Sequence, residues 1–221
     1  MMLSKTWQKA SLFFVLMGFV VCGYGHALPD PYRQVRLRPF NDGQNWYNNR
    51  EKLERLILQH NVKIIVEIGC WVGRSTRHMA SLLPLDGKLY AVDHWLGSSE
   101  HQPGRHAYCP ETHYLYDQFL SNVIHAGLTH KIVPVRMPSL EAAKYLSYLV
   151  PDLIYIDASH DRDSVFADLC AWYPRVAGHG ILCGDDWGGG HGGVASAVNE
   201  FASQQKLIVD ADDAFWRLRE P

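Results

Sequence analysis

Residues 63–76 read KIIVEIGCWVGRST, an apolar run that leads into a turn with two glycines. The run is rich in β-branched residues and predicts a buried strand. Gly69 and Gly73 allow a tight turn and a close approach of the backbone to a ligand. We expect Ser75 or Thr76 to cap the helix that follows, whose amino end favours anionic groups. The stretch therefore predicts a strand–turn–helix unit with a ligand site at the turn.

Similar units recur along the rest of the chain, where short apolar runs alternate with amphipathic stretches. The predicted strands are residues 63–68, 89–92, 132–135, 153–156, 180–183, 207–209 and 215–218. The predicted helices are residues 48–60, 75–83, 114–126, 139–149, 164–173 and 194–203. This alternation predicts an α/β fold with a doubly wound, Rossmann-like sheet, in which ligands bind beyond the carboxyl ends of the strands.

Composition places the chain among ordinary globular proteins. It has 221 residues, of which 47% are hydrophobic and 20% are charged, and this length predicts one domain or two small ones. The 21 basic and 23 acidic residues give a formal charge of -2. No basic excess indicates a nucleic-acid partner, so we expect none. No sequence pattern indicates an oligomeric state.

The first 27 residues differ from the rest and are expected to lie outside the fold. Two lysines precede an uncharged stretch, residues 10–25, with an apolar centre at residues 12–22. That centre has the length of a signal-peptide core and is short for a bilayer span. Small residues before Leu28 predict cleavage at that point. The alternative is an uncleaved anchor that associates with a membrane through residues 10–25.

The two alternatives predict different compartments. A cleaved signal would export the domain, whereas an uncleaved anchor or a misassigned start would leave it facing the cytoplasm. Residues 28–46 contain three prolines and little periodicity, which is typical of a linker or an arm. The folded domain is therefore expected to span residues 47–221.

Carboxylates follow the first two predicted strands at positions that favour a nucleoside ligand. Glu67 occupies the place where a dinucleotide-binding fingerprint has its first glycine. A carboxylate there repels a pyrophosphate but attracts a cation, such as the amino-acid end of S-adenosylmethionine. Asp93 lies 24 residues after Gly69, where a carboxylate can bind both hydroxyls of a ribose.

Three further carboxylates follow the fourth and fifth predicted strands. They are Asp157, Asp185 and Asp186, and they would repel one another at neighbouring strand ends unless a cation joined them. Hard oxygen ligands suit Mg²⁺ or Ca²⁺. The alternative is that these carboxylates only cap the strand ends and a turn.

Together these motifs resemble the class I S-adenosylmethionine-dependent methyltransferases. The resemblance rests on Glu67-x-Gly69-x-x-x-Gly73, Val92-Asp93, Ile156-Asp157 with His160, and Gly184-Asp185-Asp186-Trp187. It is strongest to small metal-dependent O-methyltransferases that act on catechols and macrolide sugars, and it spans residues 48–218. It implies a seven-stranded sheet with a reversed last strand. It also implies S-adenosylmethionine as cofactor, bound by Glu67, Gly69, Gly73, Ser75 and Asp93.

The same resemblance assigns the chemistry to residues at the later strand ends. Asp157, Asp185 and Asp186 match a metal triad, with Mg²⁺ as the expected ion. His160 stands where the catechol enzymes have a lysine general base. A metal at the triad would hold a hydroxyl of a small-molecule substrate, and His160 would accept its proton.

Two alternatives to a methyltransferase remain at this point. A nicotinamide-dependent oxidoreductase is disfavoured because Glu67 replaces the first glycine of the fingerprint. An exported binding module that kept the fold without catalysis would suit the signal-like segment. The histidine-rich stretch 97–112 predicts an exposed loop or lid, and the glycine-rich stretch 184–193 predicts a flap.

Overall fold

The computed structural model describes residues 28–43, 46–98, 101, 110–176, 178–188, 190 and 192–221. The predicted signal or anchor at residues 1–27 lies outside the described residues, as does most of the predicted lid at 97–112. Within the described ranges, no helix is both long enough and apolar enough to cross a membrane.

Seven strands form one sheet in the order β3-β2-β1-β4-β5-β7-β6. The strands are β1 Ile64–Ile68, β2 Lys88–Asp93, β3 Ile132–Arg136, β4 Leu153–Ile156, β5 Ile181–Gly184, β6 Ile208–Asp212 and β7 Phe215–Arg219. Strands β1 to β5 pair in parallel, whereas β7 runs antiparallel to both β5 and β6. The predicted doubly wound sheet with a reversed last strand is confirmed.

Six α-helices accompany the sheet within the part of the chain that the structure describes. They are α1 Arg50–Gln59, α2 Arg74–Leu82, α3 Leu115–His125, α4 Ser139–Tyr145, α5 Arg162–Trp172 and α6 Gly192–Gln205. Helix α4 ends four residues before its predicted limit. Elsewhere the predicted helices differ from the observed ones by one or two residues at each end.

The central strands are buried on both faces, as parallel strands covered by helices should be. Alternate residues of β1 enter different cores. Ile65 packs with buried residues of α1, α2 and α3. Val66 and Ile68 pack with buried residues of α4, α5 and α6. The two cores hold the strands in register, so that the carboxyl ends of β1, β2, β4 and β5 meet at one edge.

Residues 28–43 pack along α3 and lead to that edge. The Tyr32 side chain is buried, and its hydroxyl donates to the Ile132 carbonyl at 2.9 Å. The Asn122 side chain donates from Nδ2 to the Asn41 carbonyl at 2.7 Å. These contacts bring Asp42 beside the carboxyl end of the sheet.

Candidate active site

A cavity of about 1050 Å³ opens at the carboxyl ends of β1, β2, β4 and β5. Its lining includes Gly69 after β1, Asp93 at the end of β2, Asp157 after β4, and Asp185 and Asp186 after β5. This is the position at which open α/β sheets bind their ligands. The predicted strand-end residues therefore converge on one site.

The turn after β1 requires both of its glycines. Gly69 has a φ of +84°, and its N–H donates to the Val92 carbonyl at 2.9 Å. A Cβ at this position would stand 2.7 Å from the Ala158 Cα. Gly73 has a φ of +82°, and a Cβ there would stand 2.9 Å from the Phe119 ring. Glycine at these two positions lets the turn lie close to the chain that follows β4 and to the Phe119 ring on α3.

Glu67 and Ser75 form a buried pair behind the cavity wall. The Ser75 hydroxyl donates to Oε1 of Glu67 in a short hydrogen bond, and Oε2 of Glu67 has no hydrogen-bond partner. Burial raises the pKa of Glu67 to about 7. Ser75 lines the cavity, whereas Glu67 is fully buried and does not. Glu67 therefore influences the site through Ser75 and through its charge.

The predicted cap of α2 is wrong. The residue that precedes the helix is Gly73, and no side chain caps the first turn. Ser75 lies within the helix, where its hydroxyl donates a hydrogen bond to Glu67, and the hydroxyl oxygen of Thr76 has no hydrogen-bond partner. The left-handed φ of Gly73 allows the chain to enter α2 without the predicted Ser or Thr cap.

Asp93 lines the cavity and also holds the turn after β1. Its Oδ2 accepts the N–H groups of Cys70 at 2.9 Å and Trp71 at 3.1 Å. Its Oδ1 accepts the N–H of Trp95 at 2.7 Å. Three backbone donors thus fix the carboxylate at the tip of β2, the position expected for binding a ribose.

Asp157, His160 and Asp186 form a compact group on the opposite side of the cavity. Each offers one ligand atom, and these atoms all lie within 4.8 Å of one another. His160 Nε2 is 2.9 Å from Oδ2 of Asp186. Burial, together with the charges of Asp185 and Asp186, raises the pKa of Asp157 well above its usual value. A cation at this place would relieve that repulsion.

Asp185, the third member of the predicted triad, is not among the residues whose ligand atoms all lie within 4.8 Å of one another. Its Oδ2 accepts the Tyr155 hydroxyl at 3.1 Å, and its Oδ1 accepts the N–H of Asp186 at 2.7 Å. Tyr155 in turn accepts a hydrogen bond from Asn49 at 3.3 Å. Asp186 has a φ of +65°. The structure thus groups His160, rather than Asp185, with the other two residues.

Tyr47 is a cavity residue that was not predicted from the sequence, whereas His101 belongs to the histidine-rich stretch that was expected to form a loop or lid. Tyr47 lines the cavity, and its hydroxyl lies 2.7 Å from Nδ1 of His78. His101 also lines it and packs on Trp71 with ring centroids 4.8 Å apart. The Tyr47–His78 pair joins residues 31 positions apart, and no local pattern indicates such a contact.

Comparison with known proteins agrees with this geometry. The family model described as "Methyltransferase domain" matches residues 66–187. No curated protein matches the chain. An O-methyltransferase from Bacillus cereus, solved in complex with S-adenosylhomocysteine, is 18% identical, with 82% of this chain and 83% of that chain covered and a TM-score of 0.61.

Two further solved structures share the fold. A putative caffeoyl-CoA O-methyltransferase from Staphylococcus aureus is 16% identical, covering 78% of this chain and 83% of that one, with a TM-score of 0.61. The O-methyltransferase TomG from Streptomyces achromogenes, solved with S-adenosylmethionine, is 16% identical, covering 78% and 80%, with a TM-score of 0.59. Because the family model spans more than half of the chain, this protein belongs to the class I S-adenosylmethionine-dependent methyltransferases.

Proposed function

We propose that this protein transfers a methyl group from S-adenosylmethionine to a hydroxyl oxygen of a small molecule, with the help of a divalent cation. The observation that carries the proposal is the grouping of Asp157, His160 and Asp186 in the same cavity as the glycine turn. The cavity volume of about 1050 Å³ lies at the upper end of the range for ligand sites, which leaves room for a cofactor and an acceptor. The O-methyltransferases with the same fold support this reading.

The cofactor would lie along the glycine turn. Asp93 is placed to bind the ribose hydroxyls, and Gly69 allows the cofactor to approach the backbone closely. Ser75 lines the cavity at the start of α2, with Glu67 behind it as a negative charge for the cationic end. A methyl group on a sulfonium is already reactive, so the protein's task is to orient the acceptor and to remove its proton.

The donor set at the opposite side fits a divalent cation. Asp157 is half-buried, and burial together with the neighbouring carboxylates raises its pKa, so a bound cation would relieve this destabilisation of its charged form. Asp157 and Asp186 would hold the ion, and Asp185 would support them from behind. A cation held there would lower the pKa of a bound hydroxyl group. Carboxylate oxygens suit Mg²⁺, and the nearby imidazole also makes Mn²⁺ acceptable.

His160 would remove the proton of the acceptor. When the new O–CH₃ bond forms and the S–CH₃ bond breaks, the electron pair stays on sulfur and the hydroxyl proton must leave. The imidazole ring of His160 would take that proton. Oδ2 of Asp186, at 2.9 Å, would stabilise the resulting imidazolium. General-base catalysis of this kind contributes roughly 10²- to 10⁴-fold.

Calorimetric titration of the full chain with S-adenosylhomocysteine, with and without Mn²⁺ or Mg²⁺, tests the proposal. We expect S-adenosylhomocysteine to bind with micromolar affinity, and we expect that affinity to change when the cation is added. A folded protein that does not bind the ligand would refute the methyltransferase function and would favour the non-catalytic binding module.

Replacement of His160 by Gln then separates a base from a ligand. If His160 is the general base, its replacement should change the cation affinity little, as measured by Mn²⁺ titration. Transfer of labelled methyl groups to catechol or to a hexose should fall at least a hundredfold. Loss of Mn²⁺ affinity in the variant would contradict the role of base and would make His160 a ligand.

A further inference from the structure

A chain of three polar side chains runs from the cavity wall to the surface. The Tyr47 hydroxyl lies 2.7 Å from Nδ1 of His78, and Nε2 of His78 lies 3.8 Å from Oε2 of Glu54. Tyr47 lines the cavity, whereas His78 on α2 is buried and Glu54 on α1 is half-buried. None of the three was used in the mechanism above.

The ionisation state of His78 fixes the direction of these contacts. Burial, together with the charge of Arg50, lowers the pKa of His78 below its usual value, although Glu54 acts in the opposite direction. His78 is therefore neutral at physiological pH, with one ring nitrogen as donor and the other as acceptor. Nε2 makes no hydrogen bond but lies 3.8 Å from the Glu54 carboxylate, and this negative charge favours the tautomer with the hydrogen on Nε2.

It follows that Nδ1 of His78 accepts and the Tyr47 hydroxyl donates. The single hydroxyl hydrogen of Tyr47 is committed to His78, which leaves only lone pairs on the phenolic oxygen for any other partner. A ligand group that meets this oxygen must therefore be a hydrogen-bond donor.

The surroundings of Tyr47 favour a donor that carries positive charge. Burial raises the pKa of Tyr47, and the carboxylates of Glu67, Asp185 and Asp157 raise it further, while Arg50 acts in the opposite direction. Of these carboxylates, Asp157 and Asp185 line the same cavity as Tyr47, and Glu67 is buried behind its wall. The end of the cavity at Tyr47 is therefore suited to a cation.

We propose that Tyr47 binds the ammonium group of S-adenosylmethionine through its phenolic oxygen, and that His78 and Glu54 position that oxygen. The proposal rests on the proposed function, because it assigns one end of the same cofactor. Tyr47 is a binding residue, whereas His78 and Glu54 act through it. The α1–α2 pair of helices thereby contributes to cofactor recognition from outside the strand ends.

Two ligands that differ in this one region provide the test. S-adenosylhomocysteine carries the ammonium group, and methylthioadenosine has the same nucleoside and thioether without the amino-acid portion. In calorimetric titrations of the full chain, we expect Tyr47→Phe to weaken binding of S-adenosylhomocysteine about tenfold or more, as expected for loss of a hydrogen bond to a charged group. Binding of methylthioadenosine should change by less than twofold. Tyr145→Phe, at an exposed tyrosine away from the cavity, is the matched control.

A pair of variants at His78 tests the positioning role. His78→Asn places an amide oxygen near the site of Nδ1 and should keep the affinity for S-adenosylhomocysteine close to that of the wild type. His78→Leu removes the acceptor and should lower that affinity severalfold without affecting methylthioadenosine. Rescue by Asn but not by Leu would support the role of His78 as the acceptor of the Tyr47 hydroxyl.

Three results would overturn the proposal. Equal losses for both ligands in Tyr47→Phe would show a structural effect, and unchanged affinity for S-adenosylhomocysteine would show that Tyr47 does not bind the ammonium group. Equal affinities in His78→Asn and His78→Leu would remove the positioning role. Failure of the proposed function is distinguishable, since the wild type would then bind neither ligand.

Discussion

Substitution of Gly69 by alanine should damage both the stability and the cofactor site. A Cβ at Gly69 would lie 2.5 Å from the carbonyl carbon of Asp157 and 2.7 Å from the Ala158 Cα. The Asp157 carbonyl oxygen is nearer still, and ordinary contacts of a Cβ begin near 3.4 Å, so the chain after β4 would have to move by about 1.5 Å. That movement would disturb the hydrogen bond from the Asp157 N–H to the Ile68 carbonyl, now 2.8 Å long.

The cost has two parts that can be separated. A left-handed φ costs an alanine about 1 kcal/mol or somewhat more, and the overlap adds about 1–3 kcal/mol by overpacking. Gly127 provides the control, because its φ is +68° and nothing lies within 4 Å of an added Cβ. Gly127→Ala therefore has the backbone strain without the overlap.

Thermal unfolding and titration with S-adenosylhomocysteine measure the two effects. We expect Gly127→Ala to lower Tm by about 3 °C, and Gly69→Ala to lower it by about 6–12 °C, since 1 kcal/mol corresponds to about 2–4 °C at this chain length. Gly69→Ala should also weaken binding of the ligand, whereas Gly127→Ala should not. If the two variants had equal Tm values and normal affinity, the close approach of β1 and β4 would not be the reason for this glycine.

Three further changes probe the buried polar groups. The pKa of Glu67 is about 7 instead of the usual 4.5. The contribution of its neutral form to the free energy of unfolding is therefore fully present below pH 4.5 and is lost as the pH rises through 7. Between pH 4 and pH 9, the free energy of unfolding of the wild type should therefore fall by about 3 kcal/mol relative to that of Glu67→Gln. Urea unfolding midpoints that stay equal for the two proteins across that range would contradict the raised pKa. Tyr155→Phe leaves Asp185 without its hydroxyl donor and should lower the free energy of unfolding in urea by about 1–3 kcal/mol; an unchanged value would show that the bond contributes nothing. Asp157→Asn should abolish the Mn²⁺-dependent part of S-adenosylhomocysteine binding, whereas Asp185→Asn should retain it. If calorimetry showed the loss in Asp185→Asn and not in Asp157→Asn, Asp185 would be the cation ligand.

The sheet could be predicted from the sequence because burial and chain connection leave little choice. Runs such as residues 64–68 are apolar on both faces, which is what a central parallel strand needs. The helices between them carry apolar positions at helical spacing, so their existence was also predictable. The early end of α4 at Tyr145 was not, since the following exposed Tyr148 and Val150 continue an apolar pattern without being packed.

The site was predictable to the level of the strand ends. The carboxyl ends of parallel strands meet at one edge, so any polar residue that follows such a strand reaches the same cavity. This reasoning placed Asp93, Asp157 and the Asp185–Asp186 pair correctly at the cavity. It does not fix the direction of each side chain, which depends on one or two backbone angles after the strand.

Asp185 and Asp186 show why the direction of a side chain could not be predicted from the sequence. Both are aspartates, and the hydroxyl of Tyr155 donates to Asp185, whereas Asp186 lies near Asp157 and His160. Tyr155 lies 30 positions earlier on the neighbouring strand, so its effect is a tertiary one. The contact of Tyr47 with His78 has the same character, because it depends on how α1 and α2 pack. Side chains that act through a partner on another element are therefore the part of this site that only the structure supplies.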